Sequence, residues 1–398
     1  MTTYDAPPVP TAAAAPDVAL PQGFRAAGVT AGLKPSGRPD VALVVNDGPH
    51  HHAAAVFTSN RVVAAPVTWS RQVLADGRVD AVVLNSGGAN ACTGPQGFLD
   101  THRTAEHVAA ALGLSAGDVA VCSTGLIGEL LPMDRLLAGV DAAAAALDAA
   151  GHPAAARAIM TTDTVPKQAA ADADGWSVAG MAKGAGMLAP ALATMLVVVT
   201  TDAVADPAAL DAALRAATAV TFDRVDSDGC MSTNDTVLLL ASGASGVTPA
   251  PEELTEAVTA VCADLARQLV GDAEGAHHDI AVEVVGAAST DDALEVARAV
   301  ARNNLFKCAV YGGDPNWGRV LAAVGTTRAA FEPDRLDVTM QGVPVCVAGG
   351  VGADRTDVDL TGREVHVLVD LHAGDAGVTV WTNDLTHDYV HENSAYST

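Results

Sequence analysis

The stretch Lys183–Asp202, KGAGMLAPALATMLVVVTTD, places a threonine, Thr194, between a glycine- and alanine-rich segment and an apolar run. Its first half is rich in glycine and alanine, and Pro190 prevents a helix from continuing toward Thr194. The run that follows, Met195–Val199, is apolar and β-branched, as is typical of a buried strand. The pattern predicts an exposed threonine hydroxyl at the mouth of a buried strand.

The chemistry of Thr194 depends on the peptide bond before it. The preceding residue is the small Ala193, so this bond is uncrowded and the hydroxyl can attack it in an N-to-O acyl shift. Cleavage would release an α-amine, a group with a pKa of about 7.7–8.0. One residue would then supply both nucleophile and general base. The alternative is an ordinary threonine at a strand start, because short motifs of this kind are common.

Composition limits the classes of partner. The 398 residues predict two or three domains. With 4% aromatic residues, the core must consist of small aliphatic side chains. A formal charge of −25 and a pI of about 4.6 argue against nucleic acid and anionic membrane as partners. We find no apolar run of membrane-spanning length and no secretory signal in the N-terminal lead, residues 1–22, which we expect to be flexible.

The sequence carries no recognisable cofactor or metal motif. The six cysteines lie at least 30 residues apart and predict reduced, buried thiols in a cytoplasmic protein. The histidine triplet His50–His52 follows a turn and is interpreted as a solvated loop, since consecutive side chains rarely form one metal site. No glycine-rich phosphate loop follows a strand. We therefore expect no cofactor and no metal.

Hydrophobic periodicity predicts an α/β fold with mixed sheets. A domain boundary near residue 200 is permitted but not required. Strands are predicted at 41–45, 81–84, 118–122, 195–199, 237–241 and 279–285, with a meander over 336–382. Helices are predicted at 102–112, 134–150, 154–160, 206–220, 251–270 and 291–303, with another beginning within 314–319.

Polar residues next to the predicted strands supply further candidates. Thr124 and Gly125 follow a strand, and a hydroxyl beside a glycine amide is a suitable donor pair for an oxyanion; the alternative is a helix cap. Glu274 lies between small residues just before a strand, where a turn residue is the alternative. The polar tail, 391–398, has the composition of a frayed chain end.

Taken together, the chain resembles the glutamate N-acetyltransferase/ornithine acetyltransferase family from about Gly23 to Thr398. Each matching segment is short, but they occur in order along the whole chain. They are Asn85–Cys92, Ser123–Glu129, Thr161–Thr164, Lys183–Met187, Ala193–Leu196, Ser232–Thr236, Asp314–Arg319 and the tail.

The resemblance implies a proenzyme that cuts itself between Ala193 and Thr194. The products would be an α-chain ending at residue 193, with its folded part from residue 23, and a β-chain of residues 194–398. Members of the family assemble as α2β2 heterotetramers. Their fold has two domains, with mixed sheets and helices in a layered sandwich, and differs from the Ntn-hydrolase fold.

The resemblance also implies roles for individual residues. Thr194 matches the nucleophile, and Thr124 and Gly125 match the oxyanion donors. For the threonine pair 161–162 we choose Thr162 as the substrate contact. The chain departs from many members in having Ala189-Pro190-Ala191 before the cleavage site. Its terminal residue is Thr398, and members of the family differ in the type of residue at that position. The substrate-binding positions are Thr162, Lys183, Thr194, Glu274, Asn393 and Thr398.

The implied reaction is a ping-pong transfer in arginine biosynthesis. Thr194 takes the acetyl group from N-acetylornithine, ornithine leaves, and glutamate receives the acetyl group. The use of acetyl-CoA as a second donor stays open. The alternative activity is that of a self-processing N-terminal-nucleophile aminopeptidase, which passes the acyl group to water. A third alternative is an uncut binding protein with an inert Thr194.

Overall fold

The computed structural model describes residues 17–188 and 195–395. Its strands are β1 (Phe24–Val29), β2 (Val41–Asn46), β3 (His52–Phe57), β4 (Ala81–Asn85), β5 (Val119–Ser123), β6 (Lys167–Ala173), β7 (Trp176–Lys183), β8 (Leu196–Thr201), β9 (Thr236–Ala241), β10 (Asp279–Ala287), β11 (Asp337–Met340), β12 (Val343–Val347), β13 (Gly350–Val351), β14 (Glu364–Asp370) and β15 (Ala376–Asn383). Its α-helices are α1 (Ala65–Val73), α2 (Gly94–Leu112), α3 (Met133–Ala145), α4 (His152–Ala158), α5 (Pro207–Val220), α6 (Pro251–Gly271), α7 (Thr290–Ala301), α8 (Asn304–Tyr311), α9 (Trp317–Val324) and α10 (His387–Ala395).

The chain divides into two compact units. Within the described residues, the larger unit comprises 17–188, 195–223 and 230–269, and the smaller unit comprises 224–229 and 270–395. The division does not fall near residue 200, because β8 is hydrogen-bonded inside a sheet of the larger unit to β7 on one side and β9 on the other. The α-chain and β-chain expected from the sequence are therefore not the two units.

A four-stranded sheet in the larger unit has the order β1-β2-β4-β5, with β4 and β5 parallel. Every residue of β2 and β4 is buried, because both faces of this sheet are covered. On one face Leu43 and Val83 pack with Val108 of α2 and Leu136 of α3. The continuous apolar runs by which these strands were predicted follow from this two-sided burial.

The second sheet of the larger unit has the order β3-β9-β8-β7-β6. Strand β8 lies in its centre, parallel to β9 and antiparallel to β7. Met181 and Val198 pack in one core with Val44 of the first sheet and Ile159 after α4. Helix α6 approaches the sheet at Gly180 so closely that a Cβ there would lie 2.9 Å from Val261 Cγ1. The larger unit is therefore a layered α/β sandwich.

The smaller unit is built on one sheet of order β13-β12-β11-β14-β10-β15. Strand β14 is parallel to β10, and the other pairings are antiparallel. Val282 of β10 and Val367 of β14 pack with Val296 and Val300 of α7, which lies against β10 and β15. These alternating valines give the unit a core of its own.

The predicted α/β class with mixed sheets is confirmed, and most predicted elements are found. Some boundaries were wrong. Helix α2 begins at Gly94 rather than at 102, because Pro95 occupies its first turn, where no backbone N–H donor is needed. Helix α3 ends at Ala145 rather than at 150. The predicted meander over 336–382 is also wrong in part, because β15 pairs with β10 rather than with β14.

The exposure of the cysteines and the position of His52 differ from the predictions. The six cysteines, all among the described residues, form no disulfide bond. Only Cys122, Cys262 and Cys346 are buried; the other three are exposed, in loops or on α8. His52 is the first residue of β3 rather than part of a loop. In the part of the chain that the structure describes, no helix is both long and apolar enough to cross a membrane.

Candidate active site

Thr124 and Gly125 lie just beyond the end of β5, in the larger unit. Thr124 is 2% exposed, and its carbonyl oxygen accepts a hydrogen bond from Gly88 N at 3.0 Å. Gly125 has φ of +131°, and a Cβ there would lie 2.8 Å from Gly88 N, so only glycine fits. The next α-helix begins at Met133, so Thr124 does not cap a helix.

Lys183 ends β7 and meets Thr124. It is 1% exposed, and its Nζ donates a hydrogen bond to Thr124 Oγ1 at 3.1 Å. Because the hydroxyl oxygen accepts from an ammonium, the hydroxyl hydrogen is left to donate elsewhere, and the positive charge strengthens it as a donor. This is the arrangement that an oxyanion needs.

Asp163 anchors the segment around Lys183 and was not recognised from the sequence. Its carboxylate is fully buried and accepts from Lys167 Nζ at 2.6 Å and from Gly184 N at 2.7 Å. Burial alone would raise the pKa of Asp163, but the charges of Lys167 and Lys183 outweigh it and hold the pKa well below its usual range. Asp163 is therefore an anion whose carboxylate fixes the end of β7 by binding the backbone N–H of Gly184.

Of the threonine pair beside this carboxylate, Thr161 makes the contact with Asp163. Its backbone N–H donates to Asp163 Oδ2 at 2.9 Å, and Thr162 is half-buried next to it. The choice of Thr162 as a substrate contact stays a prediction.

The cleavage site itself, Ala193 and Thr194, lies outside the described residues, as does Thr398. The structure resumes at Met195, whose N–H donates to Asp235 Oδ1 at 3.0 Å and whose carbonyl accepts from Thr236 N at 3.2 Å. Sequence reasoning missed Asp235. Its only signal was its place in the polar run Ser232–Thr236, directly before a strand.

In the smaller unit, Glu274 and Asn393 are brought together. Asn393 Nδ2 donates to Glu274 Oε2 at 3.0 Å, and Glu274 is 8% exposed. Glu274 lines a cavity of about 150 Å³ whose lining includes both carboxylates and cationic groups. The lining residues are Ser227, Asp228, Gly229, Glu274, Arg302, Asn304, Lys307, Asn383, Asp384, Leu385 and Tyr389.

Helix α10 holds Asn393 in place, so this part of the tail is not a frayed end. Thr386 Oγ1, just before the helix, donates to Gly275 O at 2.6 Å, and His277 Nε2 lies 2.7 Å from Asp388 Oδ2. Gly275 has φ of +59°, and a Cβ there would lie 2.2 Å from Tyr389 N. The loop that carries Glu274 and the first turn of α10 therefore fit together at backbone distance.

Lys307 is a second charged residue of this cavity that the sequence did not reveal. Its Nζ donates to Ser227 O and, at 3.3 Å, to Thr382 Oγ1. Burial lowers the pKa of Lys307. Both negatively and positively charged side chains line the cavity, Glu274 and Lys307 among them. Such a lining suits a small zwitterion such as an amino acid.

Among residues 17–188 and 195–395, no three or more histidine, cysteine or acidic side chains are grouped so as to hold a metal ion.

A hydroxyl that accepts from a buried ammonium, beside a position where only glycine fits, is the kind of donor pair that acyl-transfer proteins use. The ArgJ family model matches residues 25–398. The arginine biosynthesis bifunctional protein ArgJ of Streptomyces coelicolor is 69% identical over 380 residues, which cover 96% of this chain and 99% of that protein. The corresponding protein of Thermobifida fusca is 67% identical over 381 residues, covering 96% and 100%. The chain belongs to the ArgJ family.

Among solved structures, ornithine acetyltransferase from Mycobacterium tuberculosis, crystallised with ornithine, is 60% identical; the match covers 44% of this chain and 94% of that chain, with a TM-score of 0.43. The family predicted from the sequence is thus confirmed. So is the assignment to acetyltransferases of arginine biosynthesis, in preference to hydrolysis by an aminopeptidase.

Proposed function

We propose that the protein transfers the acetyl group of N-acetylornithine to glutamate, by way of an acetyl ester on Thr194. The α-amine of Thr194 takes the proton of its own hydroxyl, which attacks the acetyl carbonyl. Ornithine leaves as the amine. Glutamate then attacks the ester and leaves as N-acetylglutamate.

The observation that carries this proposal is the hydrogen bond from Lys183 Nζ to Thr124 Oγ1, beside the amide of Gly125. In each half of the reaction a tetrahedral carbon carries a negative oxygen. The Thr124 hydroxyl and the Gly125 N–H would donate to that oxygen, and one such donor is worth about 3–4 kcal/mol in comparable sites. Lys183 adds a positive charge in a buried place, where its field is little screened.

Recognition of the amino acid is assigned to Glu274 and Asn393. Glu274 would pair with the side-chain ammonium of ornithine, and Asn393 holds one of its carboxylate oxygens. Lys183, Thr162 and the terminal Thr398 complete the proposed binding set. The ornithine in the M. tuberculosis structure and the bifunctional name of the relatives support amino acids as substrates and keep acetyl-CoA open as a second donor.

The proposal includes self-cleavage between Ala193 and Thr194, since only cleavage frees the α-amine that serves as base. The resulting chains would form an α2β2 heterotetramer in the cytoplasm. Six cysteines without a disulfide bond are in keeping with a reducing compartment.

The test compares the wild-type protein with Thr194→Ala and the matched control Thr200→Ala, a buried threonine inside β8. Intact mass should show two chains meeting at 193/194 for the wild type and control, and one chain for Thr194→Ala. Without glutamate, N-acetylornithine should release at most one equivalent of ornithine per active site, and with glutamate the release should continue over many turnovers. Continued ornithine release without glutamate would instead indicate a hydrolase. Cleavage of the Thr194→Ala variant would show that Thr194 is not the nucleophile.

A further inference from the structure

The cavity that Glu274 lines also contains two cationic side chains, Arg302 and Lys307. All of its lining residues belong to the smaller unit. Its volume of about 150 Å³ is below that of cavities for drug-sized ligands and suits part of a small molecule such as an amino acid. The proposed mechanism gives Glu274 a role and leaves the two cations without one.

Arg302 is held at one edge of its guanidinium. It is the first residue after α7, and its backbone N–H donates to Arg298 O at 3.0 Å. Its Nε donates to Asp226 Oδ2 at 2.7 Å. The side chain runs past Gly229, where an added Cβ would lie 3.9 Å from Cγ, Cδ and Nε of Arg302. These contacts define the direction of the guanidinium.

Asp226 is a fixed and buried partner for Arg302. It is 0% exposed, and its backbone N–H donates to the carbonyl of Trp381 in β15 at 2.8 Å. Burial raises the pKa of Asp226 to about 6, and the charge of Arg302 acts against burial. At pH 7 this carboxyl is therefore mostly ionised and can hold Arg302 as an ion pair.

The other edge of the Arg302 guanidinium is open. Among the described residues, no group forms a hydrogen bond with Nη1 or Nη2, and the side chain is 47% exposed. These two nitrogens form a planar fork that matches the two oxygens of a carboxylate. A guanidinium that is fixed at Nε and open at both Nη atoms is a preformed carboxylate receptor.

Lys307 is placed differently in the same cavity. It is 6% exposed, and its ammonium donates to Ser227 O and Thr382 Oγ1. Two of its three N–H groups are thus used within the protein. Lys307 stabilises the wall of the cavity, and Arg302 is the better suited of the two cations to receive a ligand.

The proposed reaction brings two amino acids with opposite side-chain charges to one nucleophile. Ornithine and glutamate exchange the acetyl group with the same hydroxyl, so their α-nitrogens take the same position and their side chains extend in the same direction. The carboxylate of Glu274 attracts the side-chain ammonium of ornithine and repels the side-chain carboxylate of glutamate. Glutamate therefore needs a cation in the cavity that Glu274 lines.

We propose that Arg302 is the specificity-determining residue for the acyl acceptor: its Nη1 and Nη2 receive the side-chain carboxylate of glutamate, in the cavity where Glu274 receives the side-chain ammonium of ornithine. This inference rests on the proposed function. Arg302 forms no covalent bond and transfers no proton, so it acts on the binding of the acceptor.

The choice between glutamate and glutamine as acceptors tests this role. Glutamine has nearly the same shape as glutamate and no side-chain charge. The ratio of kcat/KM for the two acceptors therefore reports recognition of the carboxylate and does not depend on the fraction of folded enzyme. The wild type should prefer glutamate at least about tenfold, as expected for a charge-assisted pair.

Arg302→Met keeps the length of the side chain and removes its charge. The preference for glutamate should fall to within about threefold, and KM for glutamate should rise at least about tenfold. The ornithine released from N-acetylornithine in the first turnover measures the donor half separately, and its rate should change by less than about threefold. Arg302→Lys keeps a charge but lacks the fork, so its preference should be intermediate.

Two further variants guard against effects on folding. Arg302→Met combined with Asp226→Asn removes the buried charge together with its partner, and its acceptor ratio should equal that of Arg302→Met alone. Arg355→Met is the matched control. Arg355 is also partly exposed and lies 3.7 Å from an aspartate of the same unit, Asp314, but it does not line the cavity. Its acceptor ratio should equal that of the wild type.

The outcomes are separable. A preference for glutamate that survives in Arg302→Met overturns the inference, as does an equal loss of preference in Arg355→Met. A wild type that uses glutamine as well as glutamate overturns it too, and in all three cases acetyl transfer itself is intact. A wild type that transfers the acetyl group to neither acceptor contradicts the proposed function, and the inference with it.

Discussion

Thr124 accepts a hydrogen bond from Lys183, and its neighbour Gly125 leaves no room for a side chain. These two facts give the hydroxyl a defined direction, because its oxygen is occupied by an ammonium donor and its hydrogen is available. Single substitutions at Thr124 therefore test the proposed chemistry most directly.

Replacing Thr124 by valine keeps the side-chain shape and removes the hydroxyl. We expect kcat to fall by about 10²–10³, as for other single oxyanion donors, with a small change in KM, because the hydroxyl acts mainly in the transition state. Thr124→Ser keeps the hydroxyl and should retain most of kcat. Steady-state ornithine release measures both variants, and equal rates for valine and serine would show that the hydroxyl has no catalytic role.

Sequence reasoning found Thr124 and Gly125 because their signal is local: a hydroxyl and a glycine at the end of a strand. It missed Asp163 and Asp235 because their roles depend on partners far along the chain, such as Met195, which is 40 residues from Asp235. Lys183 was found through family resemblance alone. Its contact with Thr124 spans 59 residues and has no local pattern.

Helix α10 is the element whose placement matters most for the proposed substrate site, because it carries Asn393. The composition of the tail is typical of a frayed end, yet the start of α10 is held against Gly275 and His277. The interaction is specific because Gly275 combines a left-handed φ with a close approach to Tyr389 N. Neither property is visible in the sequence, where Gly275 is one glycine of 37.

Gly275→Ala should displace α10 and with it Asn393. The added Cβ would lie 2.2 Å from Tyr389 N, so the helix must move. We expect acetyl transfer to fall sharply while cleavage at 193/194 continues, and limited proteolysis should reach the tail sooner. Gly342→Ala is the control, because Gly342 also has a positive φ, +79°, but open space around it. If both variants lose transfer equally, backbone strain rather than the contact with α10 is the cause.

The order of the β-strands was also not predictable from the sequence pattern. The valine-rich alternation of β14 and β15 predicts strands correctly, but it does not specify neighbours. Strand β15 pairs with β10, from Asp279↔Asn383 to Ala287↔Ala376, so a strand from near the chain end lies beside one that comes almost 100 residues earlier. Such pairings depend on the assembled core rather than on local composition.

For the molecule as a whole, stability toward acid depends on His152, at the start of α4. It is 2% exposed, and Nε2 lies 3.3 Å from Gly180 O. Burial lowers the pKa of His152 from 6.5 to about 4, because the charged form is poorly solvated there. The folded state therefore binds this proton less readily than the unfolded state. The associated stability is complete above pH 6.5 and is lost as the pH falls toward 4.

Urea unfolding at pH 7.5 and 4.5 should reveal this contribution. Between these values the titration of His152 costs the wild type about 2–3 kcal/mol. His152→Gln cannot titrate, so its free energy of unfolding should fall by correspondingly less. His107→Gln, at a more accessible histidine beside Asp141, is the control for the loss of a histidine as such. An equal effect of the two substitutions would show that burial of His152 is not responsible.

Strand β8 lies in the centre of its sheet, and this limits how the protein can be encoded and assembled. A cut before Thr194 leaves β3, β6 and β7 on one polypeptide and β8 and β9 on the other, yet all five belong to one sheet. Each product alone would expose unpaired strand edges. A gene divided at this codon would thus yield two polypeptides that must be made together and must find each other before they aggregate. A single gene would avoid that encounter, because the five strands could pair in one chain before the proposed cut.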